Sequence, residues 1–239
     1  MNQGYQPQND PFSETTHFGT LANAPADVRA NFIRKTYVLF LAGILTAIIG
    51  GTICLRTPQL YLAVMNLLTS SPLLFVGIFL GSSILAQAVS RVEGLNYLAL
   101  FGFTGLLGVL IAPVVAMYER SSPGIVGQAA FLTIVIFGAM TAYAFVSGKN
   151  FSFIGGFIFV GMIGIVAAGI ANMLWFKSSD FSYWMAWGSL LMSSGYVLYR
   201  TSNMIHEYDE RDYCSAALGL FISFFNIFMS LLRILGGRR

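Results

Sequence analysis

The chain has 239 residues, 56% hydrophobic and only 10% charged, with a net charge of +3 and a mean hydropathy of +0.71. A soluble domain is about 25% charged, so a water-facing surface made from this composition would be mostly apolar and would aggregate. A soluble globular enzyme, a disordered chain and a nucleic-acid binder are thereby excluded, the last also because the basic residues are scattered, and a polytopic membrane protein remains.

In chain order, residues 1–30 come first. They are rich in Gln, Asn, Pro, Asp and Thr and contain no apolar stretch of the kind a cleaved signal peptide needs. They read as a disordered polar tail, or as a handle by which a partner protein grips the chain. Residues 31–239 form the membrane domain. A hydrocarbon core about 30 Å thick needs roughly 20 apolar residues in a helix, and seven runs meet or approach that length: Thr36–Leu55, Pro72–Ser90, Leu95–Met117, Ile125–Ser147, Phe151–Phe176, Ser182–Tyr199 and Ala216–Leu235. None contains an acidic residue. Helices satisfy their own backbone in lipid, and the alternating pattern of an outer-membrane barrel is absent. The expectation is an all-α polytopic bundle of seven embedded helices. Leu60–Leu68 is too short to span and reads as an interfacial segment.

The links Arg91–Gly94, Gly148–Asn150 and Lys177–Phe181 hold four, three and five residues, so the helices they join run antiparallel. If all seven runs cross fully, seven basic residues lie on the amino-terminal side and six on the other, which gives almost no positive-inside bias. If the last segment dips in and returns, the count becomes ten against three. The amino terminus is assigned to the cytoplasm. Cys54 and Cys214 are too far apart for a short metal motif and too few for a disulfide framework.

Small residues recur at helix-contact spacing: Gly43, Ala47 and Gly51; Gly77 and Gly81; Gly102, Gly105 and Gly108; Gly161, Gly164, Ala168 and Gly169. Such spacing lets helix backbones approach closely, and packing within one bundle is the expected use. Pro113 removes a backbone donor in the third run. Among the polar residues within the runs, Asn172 and Asn226 are the most costly to bury. They are candidates for a shared central site, with interhelical hydrogen bonding as the plainer role.

The sixth run ends in Tyr199-Arg200-Thr-Ser-Asn-Met-Ile-His206, followed by Glu207, Asp209, Glu210, Arg211 and Asp212. If the helix continues through Ile205, Arg200 sits about 8 Å inside its end at 1.5 Å per residue. A charge at that depth needs a carboxylate, a carbonyl or water, or it snorkels to the interface. Glu207, Asp209 and Asp212 are the candidate partners. His206 is a candidate pH-sensitive group. No His-x-x-Glu-His, phosphate-binding loop or nucleophile elbow is present, and Ser147-Gly148-Lys149 lacks the earlier glycine of a Walker loop. No catalytic residue, metal site or cofactor is expected.

Several blocks resemble the Bax inhibitor 1 family. They are Phe103-Thr-Gly-Leu-Leu-Gly108 with Pro113, Phe151-Ser-Phe-Ile-Gly-Gly156 through Gly169-Ile-Ala-Asn172, Thr201-Ser-Asn-Met-Ile-His206, and Asn226-Ile-Phe-Met-Ser-Leu-Leu232 with Ile234-Leu-Gly236. The similarity runs from about Phe32 to Gly237 and is nearest the bacterial YccA-type branch. It implies a seven-helix fold with the last helix central, and a bacterial inner-membrane location. It also implies two activities of different class: a pH-sensitive calcium leak attributed to two aspartates sharing a proton, and restraint of the membrane-anchored AAA protease FtsH. By position the two aspartates fall on Arg200 and Ser223, so both acids are missing. An arginine and a serine cannot titrate as a coupled carboxylate pair, and an arginine in the cavity repels a divalent cation. The expected function is therefore a non-enzymatic membrane regulator of an FtsH-type protease, with a leak pathway at Arg200, Ser223, Asn226 and Asn172 as the alternative.

Overall fold

The computed structural model describes residues 24–209 and 211–237. Those residues contain no strand, and eight α-helices carry them: α1 (Ala26–Arg56), α2 (Pro58–Ser70), α3 (Pro72–Val89), α4 (Asn96–Ser121), α5 (Ile125–Ser147), α6 (Gly155–Ala171), α7 (Ser179–His206) and α8 (Tyr213–Gly236). A 3-10 turn over Ser152–Ile154 leads into α6, and a π turn over Asn172–Phe176 ends it.

Local chemistry sets the boundaries. Pro25 precedes α1, and Asp27 places a negative charge in its first turn, where the positive end of the helix dipole favours it. The helix thus begins inside the 1–30 segment expected to be tail; residues 1–23 of that segment lie outside the described residues. Pro58 and Pro72 open α2 and α3 at the position where a missing N–H costs nothing. Gly148 closes α5 in the left-handed conformation (φ 59°) that glycine adopts without strain. α4 continues unbroken through Pro113.

Among the described residues six spans are long and apolar enough to cross a membrane: α1, α3, α4, α5, the stretch Ser152–Phe176 containing α6, and α8. α7 has the length, at 28 residues, but its serines, tyrosines and tryptophans lower its hydropathy. Its polar residues face protein, with Ser193, Ser194, Thr201, Ser202 and Asn203 all buried. α2, with 13 residues, is too short to cross. It rests on a small cluster formed by Cys54, Val64 and Ala112 with Leu60 and Val109.

The last helix is the hub. α8 packs against α1, α3, α4, α5 and α7, and its residues are buried around the whole circumference, from Cys214 through Leu218, Phe221, Ile227 and Leu232. α6 departs from a ring of six around α8: it sits at the rim and packs chiefly on α7. α8 also runs the full length of the bundle. At its start the Lys35 ammonium lies 5.6 Å from the Tyr213 ring centroid. At its end Gly236 lies under Tyr118 and Ile125, at the opposite ends of α4 and α5. The dip-and-return alternative is therefore set aside, and α1 starts at the end opposite to where α8 finishes.

Lipid tails are as apolar as the side chains, so close van der Waals packing must hold such helices together. At the α1–α4 contact, a Cβ on Gly108 would stand 1.9 Å from the Ala47 carbonyl oxygen, and one on Gly50 would stand 2.5 Å from that of Gly105. In the α6–α7 contact Tyr199 packs on Gly155 and Met192 on Gly161. Gly77 and Gly81 on α3 behave differently: nothing lies within 4 Å of a Cβ at either.

Candidate functional site

The site forms where α7 and α8 meet near the loop that joins them. α7 continues to His206, which leaves Arg200 about 9 Å inside its end at 1.5 Å per residue. Tyr196 stands four residues earlier, on the same helical face. Arg200 Nε donates to the Tyr196 hydroxyl at 2.7 Å, and the guanidinium carbon lies 4.9 Å from the Tyr196 ring centroid. Nη1 donates to the hydroxyl of Tyr208, in the α7–α8 loop. Tyr208 is buried, with its ring centroid 6.1 Å from that of Phe32 on α1. Burial pushes the Tyr208 phenol above its ordinary value of 10.0, and the neighbouring Arg200 cation draws it part of the way back.

On the far side of the guanidinium is α8. A Cβ on Gly219 would stand 2.9 Å from Arg200 Cζ and Nε, so the guanidinium sits in the space a side chain there would take. Ser223, one turn further, is fully buried and donates its hydroxyl to the Gly219 carbonyl at 2.8 Å. The two positions matched to the missing aspartates are thus joined through one glycine.

Arg200 neither snorkels outward nor pairs with the acidic loop. Among the described residues it forms no ion pair. Glu207 is exposed and accepts from the Ser152 hydroxyl. Asp209 and Asp212 shape the turn through their backbones: the Asp212 N–H donates to the Asp209 carbonyl at 3.0 Å, and the Asp212 carbonyl accepts from Ala216 N–H at 2.9 Å. The ion pair of this region joins Arg211 to Glu93 of the α3–α4 loop at 2.9 Å, with both side chains largely exposed. The His206 side chain and Glu210 lie outside the described atoms and residues. Nearby, the Thr141 and Thr201 hydroxyls face the Tyr37 phenol, yet none of the three reaches strict hydrogen-bond geometry with a partner among the described residues.

The two asparagines lie elsewhere. Asn172 Oδ1 accepts from Ser178 N–H at 3.1 Å, and its Nδ2 donates to the Ser178 carbonyl at 3.2 Å. It ties α6 to the start of α7, about 30 Å of helix away from Arg200. Asn226 is two turns beyond Gly219 and lines a separate cavity with Arg233 and Ser230. The structure therefore brings together Arg200 and Ser223 but neither Asn172 nor Asn226. Sequence reading missed Tyr196, Tyr208 and Gly219. Tyr196 was visible as an i, i+4 neighbour, whereas Tyr208 and Gly219 reach Arg200 only through the chain reversal between α7 and α8.

Residues 29–239 match the family model described as "inhibitor of apoptosis-promoting Bax1". The chain belongs to the Bax inhibitor 1 family. It is 28% identical over 235 residues to Bax inhibitor 1 of Schizosaccharomyces pombe, covering 96% of this chain and 84% of that one. It is 30% identical over 209 residues to a membrane protein of Vibrio cholerae, covering 85% of this chain and 88% of the relative. It is 34% identical over 137 residues to YccA of Escherichia coli, named a modulator of FtsH protease, a match covering 57% of this chain and 62% of YccA. The protein is an integral membrane member of this family with YccA among its relatives, and its polar α7–α8 contact carries a cation.

Proposed function

We propose that this protein is a non-enzymatic regulator in a bacterial inner membrane, restraining a membrane-anchored AAA protease of the FtsH type. One observation carries the choice over an ion pathway. The polar contact between α7 and α8 holds a guanidinium against Gly219, with no carboxylate paired to it among the described residues. A fixed positive charge there opposes entry of a divalent cation, by several kcal/mol at about 4 Å and an effective dielectric near 20. The resemblance to YccA supports the protease as the target. The rim helix α6 and the 3-10 turn leading into it, which turn Phe157, Val160 and Phe153 outward, offer a surface for a membrane partner.

The test is turnover of a membrane-protein substrate by FtsH in vesicles containing this protein. Full-length chain slows turnover, and removal of residues 1–23 together with polar substitution of Phe157 and Val160 restores it. Unchanged turnover on adding the full-length protein rejects the reading.

The leak alternative has its own support in the cluster of buried hydroxyls formed by Tyr37, Thr141 and Thr201, none of which meets strict hydrogen-bond geometry among the described residues. Proteoliposomes decide between the two. The wild type passes no calcium at pH 6 or pH 8, whereas Arg200→Asp with Ser223→Asp leaks with pH dependence. Calcium flux through the wild type would replace the regulator reading with the leak.

A further inference from the structure

At the end of the bundle opposite Arg200, α3, α4 and α8 line most of an open cavity of about 590 Å³, completed by Leu68 of α2 and Ser189 of α7, within the range of small-molecule sites. Arg233, in the last turn of α8, lines it together with Tyr118 near the end of α4. Asn226 is seven residues deeper, about 10 Å along the helix. Phe75, Phe79 and Phe225 add aromatic surface to the lining, the last two with ring centroids 5.8 Å apart.

Two features of this cavity call for an occupant. Neither Arg233 nor Asn226 forms a side-chain hydrogen bond or ion pair among the described residues, although both line the space. Ser230 and Ser189 bond to each other at 3.0 Å and so answer neither. Most of the remaining lining, including Phe75, Phe79, Ile111, Val114 and Phe225, is apolar and offers water no hydrogen bond. α3, the outer wall, turns Leu73, Leu74, Ile84 and Leu85 toward lipid, so the site lies beside the bilayer.

We propose that this cavity binds one anionic phospholipid of the bilayer. The phosphate meets the Arg233 guanidinium, whose fork of donors matches phosphate oxygens. The glycerol ester region lies beside the Asn226 amide, and an acyl chain reaches Phe79 and Phe225. The cation belongs at this level of the helix, because the negative end of the α8 dipole favours it. Charge complementarity selects the anionic headgroup over a zwitterionic one, and the mostly apolar lining selects a lipid over a free phosphate.

The test uses the full chain, reconstituted in equal dioleoyl phosphatidylglycerol and dioleoyl phosphatidylcholine, extracted into mild detergent and weighed by native mass spectrometry. The wild type retains one phosphatidylglycerol, favoured about tenfold over phosphatidylcholine, the scale of one charge-assisted contact. Arg233→Gln, with unchanged melting temperature, brings the two lipids to equal retention, and Arg233→Lys keeps part of the preference. Excess inorganic phosphate leaves the retained lipid in place. No retained lipid, equal retention by the wild type, undiminished preference in Arg233→Gln, or displacement by phosphate would each overturn the proposal.

Discussion

Arg200 on α7 and Gly219 on α8 are in direct contact: the guanidinium occupies the space a side chain at 219 would fill, 2.9 Å from the position of its Cβ. The cation is held there from behind by the Tyr196 and Tyr208 hydroxyls. Gly219→Ala must therefore push a tethered group. Because that group ends a flexible stem, the cost is about 1 kcal/mol, the low end for overpacking. Thermal melting in detergent measures it. Tyr208→Phe releases the tether, so the two changes together cost less than their sum, with a coupling of at least about 0.5 kcal/mol. Strict additivity would mean that Tyr208 does not hold Arg200 against α8.

Tyr208 makes stability depend on pH at the alkaline end. Its phenol is neutral, buried and raised above 10.0 in the folded protein. The unfolded chain thus releases its proton first. The stabilisation is complete below pH 10 and declines as pH climbs from 10 through the raised folded value. Chemical denaturation at pH 9 and at pH 11 should show a loss in the wild type that is smaller in Tyr208→Phe. An identical loss in both proteins would place the alkaline sensitivity elsewhere.

Glycines in the same spacing pattern should differ sharply in tolerance. Gly108→Ala drives a methyl group into the Ala47 backbone carbonyl, 1.9 Å away, and backbone cannot swing aside as a side chain does. The expected cost is about 3 kcal/mol or more, seen as lost yield of folded protein and a lowered melting temperature. Gly77→Ala meets nothing within 4 Å and should melt like the wild type. Equal effects at the two positions would show that α1 and α4 do not approach as closely as described.

Composition alone settled the class of this protein. With 10% charged residues and seven acid-free apolar runs, no water-soluble packing exists, and in lipid the helix is the open-ended element that pairs its own backbone. The spans were placed by apolar run length, a local property, so the runs Pro72–Ser90 and Ile125–Ser147 fall on α3 and α5. The family was legible too, since its blocks lie in order along the chain. The site was legible only in part. Arg200 was conspicuous as a charge inside a helix, but carboxylates were the expected partners and two tyrosines are the observed ones. Asn172 and Asn226 were grouped by the common cost of burying an amide, whereas one closes the α6–α7 turn and the other lines the cavity beside Arg233. Likewise, nothing in the spacing distinguished Gly108, pressed on Ala47, from Gly77, which meets nothing. Residue type and spacing state what a helix can offer on each face. Which face meets a neighbour, and which partner is there to receive it, depends on how helices far apart in the chain rotate and cross, and only the tertiary structure decides that.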